Sequence, residues 1–162
     1  MSFNHNLQLS IQICSLAAAK KIDHTIYDGV ITIEDSFEEH PLRIDPIICS
    51  QLVLKFDDIS QPVEGYILPE EQHIQKALDF AENINNGSLL IHCLAGISRS
   101  SAIALAIIAQ KLGIGKEKQA IKELQRINPY CMPNKLIVWL TDNILKNTNL
   151  FKTAKKMLIL ND

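Results

Sequence analysis

Cys93 and Arg99 are separated by five residues, Leu94-Ala95-Gly96-Ile97-Ser98, with a glycine in the middle and a serine, Ser100, directly after the arginine. Five intervening residues are enough to wrap the backbone N–H groups of Leu94, Ala95, Gly96, Ile97, Ser98 and Arg99 around one tetrahedral anion. The helix-forming run that begins at Ser100 points the positive end of its dipole at the same spot. Negative charge on a sulfur placed there is favoured by the dipole, by the loop amides and by the guanidinium. Gly96 lets backbone approach an anion closely or take a positive φ. Arg99 offers a planar fork that binds phosphate oxygens in pairs. Burial in a core is the commonest fate of a free thiol, but Gly96 and Arg99 have no packing purpose between a strand and a helix. A nucleophilic sulfur at the floor of a phosphate cradle suggests hydrolysis of phosphate esters through a phosphocysteine.

The pattern His92-Cys93-x-x-Gly96-x-x-Arg99-Ser100 resembles the signature of cysteine-dependent protein tyrosine and dual-specificity phosphatases. Lys55-Phe56-Asp57-Asp58-Ile59, the loop holding Pro62, Gly65 and Pro69, and Pro133-Asn134 are similar to a group of bacterial predicted tyrosine phosphatases related to the dual-specificity branch. The resemblance covers residues 50–145 well and the first 45 in outline. It implies Cys93 as nucleophile, Arg99 as phosphate binder, and Ser100 as the hydroxyl that eases departure of the sulfur. His92 would be a supporting residue that holds the loop. It also implies an aspartate some thirty to forty residues before the cysteine that protonates the leaving group and then activates water. Asp57 and Asp58 both fall there; alternation along Leu52, Leu54 and Phe56 favours Asp58, if the strand persists that far, with Asp57 as a capping neighbour. Asn134 reads as an N-cap that supports the active-site region. No aromatic-plus-asparagine segment and no Trp-Pro-Asp sequence are present, which implies a shallower and less selective site than in tyrosine-specific enzymes.

These residues need elements to hold them. Residues 7–14 alternate apolar and polar and read as a half-buried strand, followed by a short alanine-rich helix over 15–21. Residues 30–33 and 51–56 read as strands, with a polar, acidic loop over 35–46 between them. Pro69 is suited to open a helix that runs to about residue 83, with Ile74, Ala77, Leu78 and Ala81 on one face. The apolar run 89–92 reads as a buried strand, and helices follow over 100–112, 116–126 and 135–145, with one more short helix within 151–160. Strands alternating with helices give an α/β fold: a central, mainly parallel sheet of four to five strands flanked by helices. Ligands in such sheets bind at the C-terminal ends of strands, where the Cys93 loop lies.

The chain has 162 residues, 47% of them hydrophobic and 21% charged, which fits a single domain spanning 1–162 and excludes a disordered protein. Residues 1–115 carry seven Lys/Arg against fourteen Asp/Glu, and residues 116–162 carry nine against four. The basic third reads as a solvated helical surface, and no basic stripe with interleaved aromatics points to nucleic acid. No secretory signal or membrane-length apolar run is visible, so a cytoplasmic protein with free thiols is expected. Cys14, Cys49 and Cys131 read as core residues; the cysteines and five histidines show no ligand spacing, so neither a metal nor a cofactor is expected. The expected partner is a phosphorylated protein or another phosphomonoester. Phosphotyrosine, phosphoserine/threonine, phosphoinositide and RNA 5′-phosphate all fit the same cradle. The competing readings are a phosphate-binding pseudophosphatase module without turnover and a rhodanese-like sulfurtransferase.

Overall fold

A computed structural model describes residues 7–146 and 148–162. Four strands form one sheet: β1 (Ser10–Ser15), β2 (Gly29–Glu34), β3 (Ser50–Lys55) and β4 (Ser88–Cys93). Their order is β1-β4-β2-β3 and every pairing is parallel. The two inner strands read as continuous buried runs because both faces are covered; β2 is buried throughout and β4 from Leu89 to Cys93. The edge strand β3 is more exposed and shows the weaker pattern expected of an edge.

Six helices surround the sheet: α1 (Leu16–Lys21), α2 (Glu71–Ile84), α3 (Arg99–Leu112), α4 (Glu117–Ile127), α5 (Lys135–Leu145) and α6 (Leu150–Met157). On one face Ile31, Ile33, Leu89 and Ile91 pack with the apolar sides of α2 to α6. On the other, Val30 and Leu90 meet the short α1, Tyr27 and the segment carrying Leu42, Ile44 and Cys49. The alternation of Leu89, Leu90 and Ile91 between faces is what assigns them to separate cores. Helix α3 is the central element: every residue from Arg99 to Ala109 is buried, which fits its run of alanine, isoleucine and leucine. No helix among the described residues is long and apolar enough to cross a membrane.

Three of the boundary differences from the sequence reading bear on the site. Residues 7–9 precede β1 rather than belong to it, and Ser15 both ends that strand and caps α1 through Ala18 N–H (3.2 Å). Helix α2 starts after Pro69: Glu70 is its N-cap, joined to His73 in a reciprocal capping pair, with Glu70 N–H donating to His73 Nδ1 at 3.0 Å. Strand β3 stops at Lys55, so strand alternation does not extend to Asp58; Phe56 and Asp57 are both buried in succession. The placement of Asp58 has a different cause, given below.

Candidate active site

The loop after β4 is shaped from outside. The carbonyl of Leu94 accepts from Leu16 N–H (3.1 Å), that of Gly96 from the Asn128 side chain (2.9 Å), that of Ile97 from Met132 N–H (3.0 Å), and that of Ser98 from Asn134 N–H (3.3 Å). In a planar trans peptide the N–H points opposite to the carbonyl before it. Pinning these four carbonyls outward therefore turns the N–H groups of Ala95, Ile97, Ser98 and Arg99 inward. The N–H of Gly96 faces the same way, 3.3 Å from Cys93 Sγ. Leu94 and Ile97 put their side chains out to solvent, and Gly96, Ser98 and Arg99 are buried. Gly96 itself has φ +74°, and a Cβ there would lie 2.6 Å from the carbonyl carbon of Cys14 and 2.8 Å from Ser15 N. Only glycine lets the loop lie this close to the end of β1.

Cys93 is buried, with Sγ 3.1 Å from Ser100 Oγ. The first turn of α3 lies beneath it, and its N-cap Ser98 makes no side-chain cap bond, so the helix's leading N–H groups keep their donor capacity for an anion. Arg99 is 4% exposed. Its Nη1 donates to the Phe56 carbonyl (2.9 Å) and pairs with Asp35 Oδ1 (2.6 Å). Its Nε has no hydrogen-bond partner among the described residues. A buried guanidinium N–H without an acceptor is costly, and a phosphate oxygen is the acceptor this geometry suits.

His92 holds the loop through a relay whose proton positions are fixed. Gln51 Oε1 accepts from Ile44 N–H (2.9 Å) and its Nε2 donates to Leu42 O (3.0 Å) and to Thr32 Oγ1 (2.8 Å). The Thr32 hydroxyl must then donate to His92 Nε2 (2.8 Å), leaving the proton on Nδ1 to face the Cys93 carbonyl (3.3 Å). Burial keeps His92 below its ordinary pKa; the Cys93 carbonyl and Glu34 pull only part of the way back. His92 is therefore neutral at pH 7.

The two aspartates are separated by their partners. Asp57 is buried, with Oδ1 accepting from Ser36 N–H (3.0 Å) and Oδ2 from Ile67 N–H (2.7 Å). Burial alone would raise its pKa, but these backbone donors and Arg99 hold it below the usual carboxylate range. It clamps two loops together. Asp58 is only partly buried: Oδ1 accepts from Ser98 Oγ (2.7 Å) and Asn134 Nδ2 (3.0 Å), and Oδ2 from Asn161 Nδ2 (3.0 Å). This seat, not strand phase, ties Asp58 to the cysteine loop. Asn134 does two jobs, since its Oδ1 also caps α5 through Ile137 N–H (3.1 Å). Asn161 reaches the site because its backbone bridges Pro133 O and Lys135 N–H (both 2.9 Å).

Asp35, Thr32, Asn128 and Asn161 were not found from the sequence. Asp35 stood within a loop noted only as acidic, and the other three carry no local motif. Cys14, Cys49 and Cys131 are free thiols in or beside the core. Burial, and then negative charge at Cys93, pushes Cys14 up to about 11, so it stays protonated. Among the described residues no three His, Cys, Asp or Glu converge to hold a metal ion.

A parallel sheet whose inner strand delivers a cysteine into a ring of amides, closed by an arginine on the next helix, defines the cysteine-dependent phosphatase fold. No family model matches the chain. It is 38% identical to human dual specificity protein phosphatase 16 over 63 residues, covering 38% of this chain and 9% of that protein. It is 30% identical to mouse dual specificity protein phosphatase 15 over 69 residues, covering 41% and 29%. The crystal structure of DUSP15 superposes with a TM-score of 0.65 at 19% identity, over 91% of each chain. The chain spans less than a third of the length of the two curated relatives. These likenesses show the fold of the dual-specificity phosphatases, with sequence similarity to them over part of the chain.

Proposed function

We propose that residues 1–162 act as one phosphatase domain, cytoplasmic and independent of metal, hydrolysing phosphate monoesters of proteins through a phosphocysteine. The observation that carries this reading is the buried, unpartnered Arg99 Nε at the end of a loop whose cysteine sulfur already accepts an amide N–H and contacts a hydroxyl. Substrate phosphate occupies the ring of N–H groups from Leu94 to Arg99, with Arg99 closing it. Cys93 thiolate attacks phosphorus, the S–P bond forms, and the P–O bond to the leaving group breaks. The leaving oxygen takes a proton from Asp58. In the second step Asp58 accepts a proton from water as it attacks phosphorus. The S–P bond then breaks, inorganic phosphate leaves, and the Ser100 hydroxyl hydrogen-bonds the departing sulfur.

The Ser98 hydroxyl supports Asp58 in both protonation states. It donates to the carboxylate while accepting from Asn161 Nδ2 (3.1 Å), and it can instead accept from a protonated carboxyl. Electrostatic complementarity to the spread charge of the transferring phosphoryl group is the main source of acceleration here.

Phosphate release from an aryl phosphate tests the reading, with Cys93→Ser as the paired variant. Turnover by the wild type and its loss in the variant, together with an acid-quenched phosphoprotein in the wild type alone, are expected. Full activity in Cys93→Ser would exclude the covalent route. Binding of inorganic phosphate with no turnover in the wild type would make the chain a pseudophosphatase.

A further inference from the structure

A cleft of about 530 Å³ adjoins the cysteine loop and is walled by two segments that the chemistry above does not fully use. One wall is the turn after β2 (residues 35–40), and the other is residues 57–59 with Tyr66. Asp35, Glu38, Glu39, Asp57 and Asp58 line it together with His40, and no lysine or arginine does. Arg43, a few residues along the same loop, is turned away to Glu34. The cleft meets the phosphate site at two points: Asp35 is paired with Arg99, and Asp58 with Ser98. The unpartnered, buried Nε of Arg99 marks where the phosphate lies.

Phe37 and Tyr66 also line the cleft. They meet edge to face, with ring centroids 5.7 Å apart and planes at 85°, yet remain 66% and 50% exposed. Two large aromatic side chains from separate loops, left open to solvent beside five carboxyl groups, form the surroundings that suit an organic cation. The rings cover the aliphatic stem and face the charge, and Glu38 and Glu39 supply the counter-charge, since Asp35 is paired with Arg99 and Asp57 with backbone N–H groups. Metal ions are a poorer fit, since no three of these groups converge on one point.

We propose that this cleft receives a lysine or arginine side chain next to the phosphorylated residue, making the preferred substrate a basic segment of a phosphoprotein. The inference rests on the phosphatase reading of Cys93. It also separates the substrate classes that the cradle alone leaves equal. A phosphoinositide or an RNA 5′-end brings further phosphates toward Glu38 and Glu39 and is repelled; a basic peptide is drawn in.

The test uses phosphotyrosine peptides of one sequence in which the two residues flanking the phosphotyrosine are Lys, Ala or Glu. An aryl phosphate serves as the reference without flanks. Each added cation is expected to raise kcat/KM about threefold, a gain typical of exposed ion pairs and one that shrinks as salt is added. Glu38→Gln with Glu39→Gln, and separately Phe37→Ala, should reduce the preference for Lys over Glu at least threefold. Both variants should leave aryl phosphate turnover unchanged. Equal kcat/KM for the Lys and Glu peptides, with the aryl phosphate still hydrolysed, overturns the cleft assignment alone. Faster turnover of phosphatidylinositol phosphate vesicles or of a 5′-phosphorylated RNA than of the basic peptide overturns it as well. Absence of turnover on every substrate, the aryl phosphate included, would instead remove the phosphatase reading beneath it.

Discussion

Replacing each aspartate by asparagine should separate two effects that neighbouring residues rarely separate so cleanly. In Asp57→Asn, one amide end can still accept from Ile67 or Ser36 N–H, and the other presents a donor to a donor. One buried N–H loses its acceptor and a charge-assisted bond is gone, together worth about 2 kcal/mol. For a chain of 162 residues that corresponds to a Tm lower by about 4–8 °C. In Asp58→Asn the clash with Asn161 Nδ2 is relieved when Asn161 turns its amide to present oxygen, so Tm should move little. What is lost there is the proposed proton donor, expected to lower kcat by about 10² to 10⁴, or roughly 3–5 kcal/mol of barrier. The loss should be largest for a leaving group that is a poor anion, and smaller for an acidic phenol. Differential scanning calorimetry and the pH dependence of kcat for two aryl phosphates read both quantities. A variant Asp57→Asn that keeps its Tm and loses the proton-donor limb of the profile, with Asp58→Asn retaining it, would refute the reasoning.

Two further outcomes are expected. Gly96→Ala should lose about 100-fold in activity, because its Cβ meets backbone of Cys14 and Ser15 and displaces the amide ring. Gly65→Ala is the control: it has φ +84° with open space around it, so it pays only the conformational penalty of about 1–2 kcal/mol. Comparing phosphate-release rates and urea midpoints of the two isolates the contact. For His92, the folded-state pKa lies below the ordinary value near 6.5. Below that pH the unfolded chain takes up a proton that the folded chain refuses, so the stability His92 contributes is complete above about pH 6.5 and is lost as pH falls. Urea titrations between pH 7.5 and 5 should show a shallower decline for His92→Gln than for the wild type; parallel declines would contradict the buried, neutral assignment.

Local chemistry is what the sequence displayed. The strand-loop-helix around Cys93 was legible because apolar residues, glycine and arginine follow one another within thirteen positions, and the helices because their apolar residues recur at three and four. Asn134 announced itself as a cap, since Pro-Asn before an apolar periodic run has that meaning wherever it occurs. The second half of its work, holding Asp58 from 76 residues away, leaves no local trace. The same holds for Asp35 on Arg99 and for the Gln51-Thr32-His92 relay, which exist only once strands that are distant in sequence lie side by side. Strand phase pointed to Asp58 on a premise that the end of β3 at Lys55 removes. Its seat comes from three donors gathered by tertiary structure. The aromatic wall of the cleft was missed for a related reason: Phe37 and Tyr66 are lone aromatics in separate loops, and only the fold brings them together.

The bond from Asn161 to Asp58 links the moment of completion to the capacity to react. Residues 10–112 contain the sheet, the cysteine loop and its helix, but the carbonyls of Gly96, Ile97 and Ser98 are held outward by Asn128, Met132 and Asn134. The seat of Asp58, the proposed proton donor, waits until residues 133–135 and 161 have paired, after three more helices have docked. A chain caught partway through folding thus has neither a finished amide ring nor a firmly seated Asp58. Detachment of the segment after α6 in the finished protein would leave the ring formed and loosen Asp58 alone. The segment around Asn161 is in effect a safety catch, released only by the arrival of the whole architecture.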